Sequence, residues 1–184
     1  MSMPVHNATR FSVVPAFIDS AMDADQFKQF FRHHAAGVAV VTAETSGSGP
    51  VAMTVTSLFS ISAQPPLFVF SASGFSSSTP VLQDAETIAL HLLDQSELWL
   101  AKLASTSGVD RFSVPWEHLP SGEPIYTDIK TWMRGRIVSR IDAGTSTVIV
   151  VQAIEGSAPP ADGHVPLSYH NRNWYALDAA TKQL

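Results

Sequence analysis

The sequence contains no cysteine, and this absence excludes several kinds of chemistry at once. Without a thiol among its 184 residues the chain can form no disulfide bond, thiolate nucleophile or cysteine-ligated metal site. Stability must come from a hydrophobic core, which a chain of this length can bury as one domain. The lack of cysteine suits a reducing compartment, and we predict a cytoplasmic protein.

Charge is also scarce, and no long run of one sign occurs. Charged residues make up 15% of the chain and the net charge is −5. Binding to nucleic acid or to an anionic membrane surface needs clustered Lys and Arg, so we exclude both partners. No apolar run approaches the roughly 18 residues of a membrane span. Pro4, Arg10 and Pro15 interrupt the first residues and argue against a signal peptide.

Motifs for metal, serine or nucleotide-loop chemistry are missing as well. The seven histidines show no HExxH or other metal-ligand spacing, so we predict no metal site. No GxSxG, GxGxxG or P-loop pattern occurs. We interpret His91, within an apolar strand pattern, as a packed or hydrogen-bonded residue.

Hydrophobic periodicity predicts a mainly β protein. Asp23 is placed to cap a helix that carries Phe27, Phe30, Phe31 and His34 on one face. Predicted strands cover residues 38–42, 51–62, 67–71, 87–92, 131–140, 145–153, 166–170 and 173–177, with further helices from Pro80 and from Ser96. So few helices between strands favour a closed antiparallel barrel with peripheral helices over a doubly wound sheet. We predict one domain over residues 21–184, preceded by an extended arm over 1–20 that is either mobile or wraps a partner subunit.

Residues 53–67 form the most informative stretch of the chain. The sequence MTVTSLFSISAQPPL alternates with the period of a strand and has five hydroxyl side chains within residues 54–62. An ordinary core strand does not need so many hydroxyls. We therefore predict that this stretch lines a pocket for a polar, planar ligand.

Six segments, in the same order and with matching spacing, resemble the flavin reductase-like proteins of the FMN-binding split β-barrel class. They are FRHHAAGVAVVT at 31–42, MTVTSLFSISAQPPL at 53–67, SSST at 76–79, DRF at 110–112, DAG at 142–144 and PLSYH at 166–170. The resemblance extends over about residues 27–177. It implies a Greek-key-like split antiparallel barrel that forms a homodimer.

The resemblance also implies an activity. Relatives of this kind bind FMN or FAD and reduce it with NADH or NADPH, and many supply the reduced flavin to a separate monooxygenase. Hydride passes between the two cofactors, so no side chain is expected to act as a catalytic residue. No basic cluster for a 2′-phosphate is evident in the sequence, which favours NADH.

The resemblance implies specific cofactor-binding positions. They are Thr54, Val55, Thr56, Ser57, Ser60, Ser76, Ser77, Ser78, Thr79, Arg111, Phe112 and His170. Residues 54–60 are expected against the flavin ring, and His170 near the nicotinamide or the flavin rim. Residues 76–79 are expected at the flavin phosphate, and their hydroxyls also suit the cap of the following helix. Of Arg111, Lys102 and Arg32, we expect Arg111 to approach that phosphate, or else to pair with Asp110 or a neighbouring acid.

Two departures from the family pattern leave other functions open. Residues 73–75 are Ser-Gly-Phe where many relatives have Arg or Lys, and Gln152 stands where many have an acid. One alternative is a flavin carrier or sensor without turnover. Another is an oxidase of the same fold that holds FMN tightly.

Overall fold

The computed structural model describes residues 9–13, 21–159 and 163–178, and its secondary structure is mainly β. The strands are β1 (Thr9–Val13), β2 (Ala36–Gly37), β3 (Ala39–Ala43), β4 (Val51–Val55), β5 (Phe59–Ala63), β6 (Pro66–Ser73), β7 (Thr87–Leu92), β8 (Trp116–His118), β9 (Pro124–Tyr126), β10 (Trp132–Ala143), β11 (Ser146–Ser157), β12 (Leu167–His170) and β13 (Asn173–Ala176). The helices are α1 (Ala24–Phe31), α2 (Thr79–Asp84) and α3 (Leu98–Ser105), and a short 3₁₀ turn, Gln95–Glu97, precedes α3.

The main sheet contains eight strands and curls into a split barrel. Its order is β4-β3-β7-β10-β11-β6-β5, and β1 pairs in parallel with the second half of β10. All the other pairings in this sheet are antiparallel. The two ends of the path, β4 and β5, are consecutive in the chain, so residues 56–58 cross from one end to the other. The predicted antiparallel split barrel is confirmed.

The prediction of one continuous strand over residues 51–62 is wrong. The chain leaves the ladder after Val55, because β4 pairs with β3 whereas β5 pairs with β6 at the opposite end of the path. Val55 is buried in the barrel, but Phe59 and Ile61 are 59% and 48% exposed on an edge strand. Period-2 alternation continues across the break, and this is why the sequence pattern concealed it.

Two groups of buried side chains support the barrel. The first fills the barrel interior and includes Val41, Phe70, Ile88 and Ile149. The second lies between the outer face of β3 and β4, helix α3 and the β8–β9 hairpin, and includes Tyr126. Between them they hold both faces of β4 in place, which positions the 56–58 crossing.

Helix α1 begins where the sequence predicted but is not packed into either core. Asp23 accepts hydrogen bonds from the backbone amides of residues 25 and 26, both at 2.9 Å. The three phenylalanines of the predicted face, Phe27, Phe30 and Phe31, are 51–66% exposed. Arg32 caps the helix C-terminus, so the predicted histidines 33 and 34 follow the helix and do not lie within it.

The remaining predicted elements are found close to their expected positions. The strand predicted at 87–92 is β7, and the two long strands form the β10–β11 hairpin with a turn at Gly144, whose φ is +62°. Of the predicted arm, residues 9–13 pair with β10 of their own chain, and the rest lies outside the described residues. The domain limits stay a prediction. Within the described ranges, no helix is long and apolar enough to cross a membrane.

Candidate functional site

A cavity of about 900 Å³ opens between helix α1, the 56–59 crossing and the β12–β13 turn. Its lining residues are Phe27, Lys28, Phe31, Arg32, His34, Ala35, Ala36, Gly37, Thr56, Ser57, Leu58, Phe59, Tyr169, Asn171 and Arg172. The volume lies in the range of small-molecule and cofactor sites. The lining combines aromatic rings with three permanent cations and includes no carboxylate, so it suits a planar, anionic ligand.

Helix α1 supplies the aromatic wall of this cavity and two of its cations. The Phe27 and Phe31 rings lie 4.8 Å apart, one helical turn from each other. Lys28 and Arg32 are also four residues apart, so they lie one helical turn from each other on the same face, next to the two rings. Lys28 pairs with Asp25 at 3.1 Å, and both side chains are largely exposed.

The 56–59 crossing forms the opposite wall. Thr56 is exposed towards the cavity. The Ser57 hydroxyl accepts a hydrogen bond from the Ser71 amide at 2.9 Å and lies 3.3 Å from the Ser71 carbonyl. It therefore joins the crossing to β6 and helps to close the barrel. The Thr54 hydroxyl donates to the Ala101 carbonyl of α3 at 2.7 Å.

The β12–β13 hairpin forms the third wall. The Tyr169 ring packs against Trp174, with the ring centroids 4.7 Å apart. Both turn residues, Asn171 and Arg172, have positive φ, 46° and 64°. The Asn173 side-chain amide donates to the Asn171 carbonyl at 3.0 Å and braces the turn.

A smaller cavity of about 270 Å³ adjoins the first. It is lined by Gln29, Arg32, His33, His170 and Asn171, so Arg32 and Asn171 contribute to both. The predicted site residue His170 lies here, beside another histidine and a guanidinium, and not in the larger cavity. Because the two adjoining spaces share Arg32 and Asn171, we refer to them together as the groove.

The 76–79 loop lies outside this groove, and two of its hydroxyls are already engaged with backbone. The buried Ser78 hydroxyl donates to the Ala52 carbonyl at 2.8 Å. The Thr79 hydroxyl donates to the Ser73 carbonyl at 2.6 Å. The expected side-chain cap of α2 is wrong at Ser78, which occupies the N-cap position without a capping hydrogen bond.

The first two serines of the loop are more accessible. Ser76 is half-buried, and its hydroxyl accepts from the Ser78 amide at 3.3 Å. Ser77 is exposed.

Arg111 is anchored beside this loop by its guanidinium. It donates to the Ala52 carbonyl at 2.7 Å and to the Ser78 hydroxyl at 2.6 Å. It also donates from two nitrogens to the Thr106 carbonyl, at 3.0 and 3.3 Å. Among the described residues Arg111 forms no ion pair with Asp110 or a neighbouring acid, and the Asp110 carboxylate accepts from the backbone amide of residue 112. One of the five guanidinium N–H groups is left by this count for another acceptor.

His91 is packed and hydrogen-bonded, as predicted from its strand pattern. Its Nε2 accepts from the Tyr126 amide at 3.2 Å, and its Nδ1 lies 3.3 Å from the Val40 carbonyl. Burial lowers the pKa of His91 from 6.5 to about 4, although the Val40 carbonyl opposes the shift. The ring is therefore neutral at pH 7.

Comparison with known proteins identifies the family of this chain. The model of the flavin reductase like domain matches residues 31–178, which is most of the chain. The chain belongs to this family. The resemblance drawn from the six sequence segments is thereby confirmed.

Individual relatives agree with this flavin reductase-like assignment. An NADH:FMN oxidoreductase of Rhodococcus qingshengii is 33% identical over 162 residues, covering 86% of this chain and 84% of the relative. The reductase component of 4-hydroxyphenylacetate 3-monooxygenase from Salmonella typhimurium is 28% identical over 158 residues, covering 83% and 91%. The crystal structure of a flavin reductase domain protein from Arthrobacter superposes with a TM-score of 0.76 at 35% identity, covering 83% and 94%.

The fold of this flavin reductase-like chain separates the predicted site residues into groups. Thr56 and Ser57 line the large cavity, and His170 lines the small one. Residues 76–79 and Arg111 form a second group on the α2 side of the barrel. Three other predicted residues point elsewhere or lie apart: Val55 is in the barrel core, Phe112 stacks on Tyr126 with centroids 5.3 Å apart, and Ser60 is exposed on β5.

Sequence reasoning missed most of the cavity wall of this family member. Residues of α1 and of the segment after it line the cavity without having been predicted there, as do three residues of the final hairpin: Phe27, Lys28, Phe31, His34, Ala35, Tyr169, Asn171 and Arg172. Arg32, which the sequence offered only as an alternative for the flavin phosphate, lines it too. The aromatic face of α1 is the one feature of the sequence that could have indicated these contacts. The same pattern is expected for a helix that packs on the core, so it does not distinguish the two. Nothing local relates residue 172 to residue 32.

Proposed function

We propose that this chain is an oxidoreductase that reduces free FMN or FAD with NADH or NADPH. The observation that carries the proposal is the carboxylate-free, aromatic and cationic cavity, in a chain that belongs to the flavin reductase-like family. A bound flavin supplies the hydride-accepting chemistry, and no protein nucleophile is required. The contribution of the chain is to hold two planar rings together in an environment that tolerates negative charge.

The residues of the large cavity fit that task. Phe31 and Tyr169 offer flat apolar surface on two walls, and Thr56 offers a hydroxyl and backbone groups on the third. Donors fixed before a ligand arrives cost no reorganisation when charge develops beside them. Arg32 adds a permanent positive charge at the rim, which favours an anionic ligand and a reduced flavin that carries negative charge.

We place the flavin phosphate towards the group formed by residues 76–79 and Arg111. This group follows β6 in the chain and contacts β4 through the Ala52 carbonyl, and the Ser57–Ser71 hydrogen bonds join the cavity wall to β6. Ser76 and Ser77 retain accessible donors there, and Arg111 retains one free N–H group. Both FMN and FAD carry a phosphate at this position of the molecule, so we keep both as proposed substrates.

We further propose that the chain acts as a homodimer. Phe30 of α1 and Ile61 of β5 are 66% and 48% exposed, and neither lines the cavity. Apolar side chains of this size that serve no ligand are suited to a subunit contact. A second copy of the chain would cover both, and a monomer in sedimentation equilibrium would contradict this.

A monooxygenase component is the proposed recipient of the reduced flavin. The proposal follows from the relatives named as reductase components of monooxygenases. A cytoplasmic location for this electron transfer stays a prediction.

A hydroxyl-specific variant tests the proposed cavity. Thr56→Val keeps the shape of the side chain and removes its hydrogen bond, so flavin binding should weaken by about fivefold, the equivalent of one ordinary hydrogen bond. The matched control is Thr145→Val, at the exposed tip of the β10–β11 hairpin, which should bind flavin as the parent does. Quenching of flavin fluorescence measures the affinity of the parent and of both variants. Equal affinity in all three proteins would show that the Thr56 hydroxyl does not bind flavin.

A further inference from the structure

The turn between β12 and β13 places an arginine where the backbone disfavours it. Asn171 and Arg172 both have positive φ, as in a two-residue type I′ hairpin turn. Asn is common at the first of these positions, but the second is most readily occupied by glycine, which has no Cβ to crowd the carbonyl. Arg172 therefore destabilises its own turn, and residues held in such conformations concentrate at functional sites.

Arg172 lines the large cavity. Together with Lys28 and Arg32 it forms what we call the basic rim. Among the described residues, Lys28 is paired with Asp25, whereas neither Arg32 nor Arg172 forms an ion pair. No carboxylate lines either cavity, so two guanidinium charges remain uncompensated beside the groove.

We propose that Arg172, with Arg32, binds the diphosphate of the nicotinamide nucleotide. This rests on the proposed function and names the group that recognises its hydride donor. A diphosphate is an anion of two adjacent phosphates, and planar guanidinium groups bind phosphate oxygens in pairs. Arg172 is a specificity-determining residue, since it recognises the diphosphate, which is remote from the transferred hydride and distinguishes a dinucleotide from a mononucleotide.

The position of the second cavity favours the dinucleotide over the flavin phosphate. Arg32 and Asn171 line both cavities, so the groove continues past the basic rim towards His33 and His170. A dinucleotide with its nicotinamide in the large cavity needs space beyond its phosphates for a second nucleoside. The flavin phosphate already has a proposed site at residues 76–79 and Arg111, which line neither cavity.

Three substitutions at one position separate charge from backbone strain. Arg172→Gly removes the charge and relieves the turn, Arg172→Asn removes the charge with a residue that tolerates positive φ, and Arg172→Lys keeps the charge. The control is Arg136→Gln on β10, which removes one charge from an exposed arginine whose nearest acid, Glu86, is 3.9 Å away. Arg136 lines neither cavity.

Binding without turnover is the primary readout. NADH is titrated into the flavin-free protein, and reduced nicotinamide mononucleotide, which has one phosphate, is titrated in parallel. We expect Arg172→Gly and Arg172→Asn to weaken NADH binding by roughly tenfold or more, as the loss of a charge-assisted hydrogen bond predicts. Arg172→Lys, which keeps the charge but not the paired donors, should fall between these variants and the parent. Arg136→Gln should bind as the parent does, and the mononucleotide should lose less affinity than NADH.

Titrations with FMN and riboflavin decide the source of the phosphate. Under this proposal, the ratio of FMN to riboflavin affinity is the same in the parent and in Arg172→Gly. A fall in that ratio with NADH affinity unchanged would assign Arg172 to the flavin phosphate and overturn the proposal. Unchanged affinity for every ligand would overturn it as well.

Thermal unfolding of the flavin-free protein supplies an independent readout. Relief of the strained turn should raise the Tm of Arg172→Gly by about 2–4 °C relative to the parent. A lower Tm would make Arg172 a stabilising residue and contradict the proposal. If NADH binding depends on Arg172 but the protein reduces no flavin, the proposed function fails and this inference stands. If the protein reduces flavin but NADH binding does not depend on Arg172, the proposed function stands and this inference fails.

Discussion

Acid should destabilise this protein through one buried histidine. His91 lies on β7, fully buried, and accepts a hydrogen bond from the Tyr126 amide. Protonation of that nitrogen would remove the acceptor and place a charge in the apolar group that also holds α3. The perturbation we propose is a change of pH from 7 to 4, in the parent and in His91→Gln.

The size of the effect follows from the pKa of His91. Burial lowers the pKa from 6.5 to about 4, so the unfolded chain binds the proton more tightly than the folded one. Stability is then complete above pH 6.5 and falls as the pH approaches 4. At roughly 1.4 kcal/mol for each pKa unit, the loss between pH 7 and pH 4 is about 3 kcal/mol.

Urea unfolding at several pH values measures this loss. Other groups, such as Glu123, also titrate in the acid range, but they are present in both proteins. The glutamine in His91→Gln cannot be protonated, so the difference in unfolding free energy between parent and variant isolates the histidine. We expect the parent to lose about 3 kcal/mol more than the variant. Parallel pH profiles would refute the reasoning.

Two further substitutions test the packing around the site. Gly135→Ala would place its Cβ 2.3 Å from a Val151 methyl group, and we expect a loss of about 2 kcal/mol in urea unfolding. Gly49→Ala meets nothing within 4 Å and is its control; equal stability of the two variants would contradict the packing argument. Arg111→Met should cost about 2 kcal/mol, because the Ser78 hydroxyl and two backbone carbonyls lose a donor. An unchanged Tm for Arg111→Met would show that these contacts stabilise nothing.

The fold could be predicted from sequence because its local signals agree with its tertiary structure. The strand at 87–92 and the β10–β11 hairpin have apolar patterns and turn residues that point to the same answer. The break after Val55 could not be predicted in this way. Its cause is the pairing of β4 and β5 with strands at opposite ends of the sheet, which is a property of topology and not of the local pattern.

The candidate site was predictable only where one segment carried several of its residues. Thr56 and Ser57 lie in the hydroxyl-rich stretch, and both line the cavity. The basic rim joins Arg172 to Lys28 and Arg32, which are remote from it in sequence, so no local pattern predicted it. The preference for NADH, from the lack of an evident 2′-phosphate cluster, stays a prediction. Arg111 illustrates the opposite case, since its motif was recognised but its anchoring to backbone carbonyls depends on the fold.

The central claim is that this chain transfers reducing equivalents from a pyridine nucleotide to free flavin. The most direct test is anaerobic and uses a catalytic amount of protein with an excess of FMN or FAD and of NADH or NADPH, in each pairing. Loss of the oxidised-flavin absorbance over many turnovers with at least one pairing is the predicted result, and it would identify both substrates. Measurable flavin binding with no loss of absorbance in any pairing would contradict the account and leave a flavin-binding protein that does not use these donors.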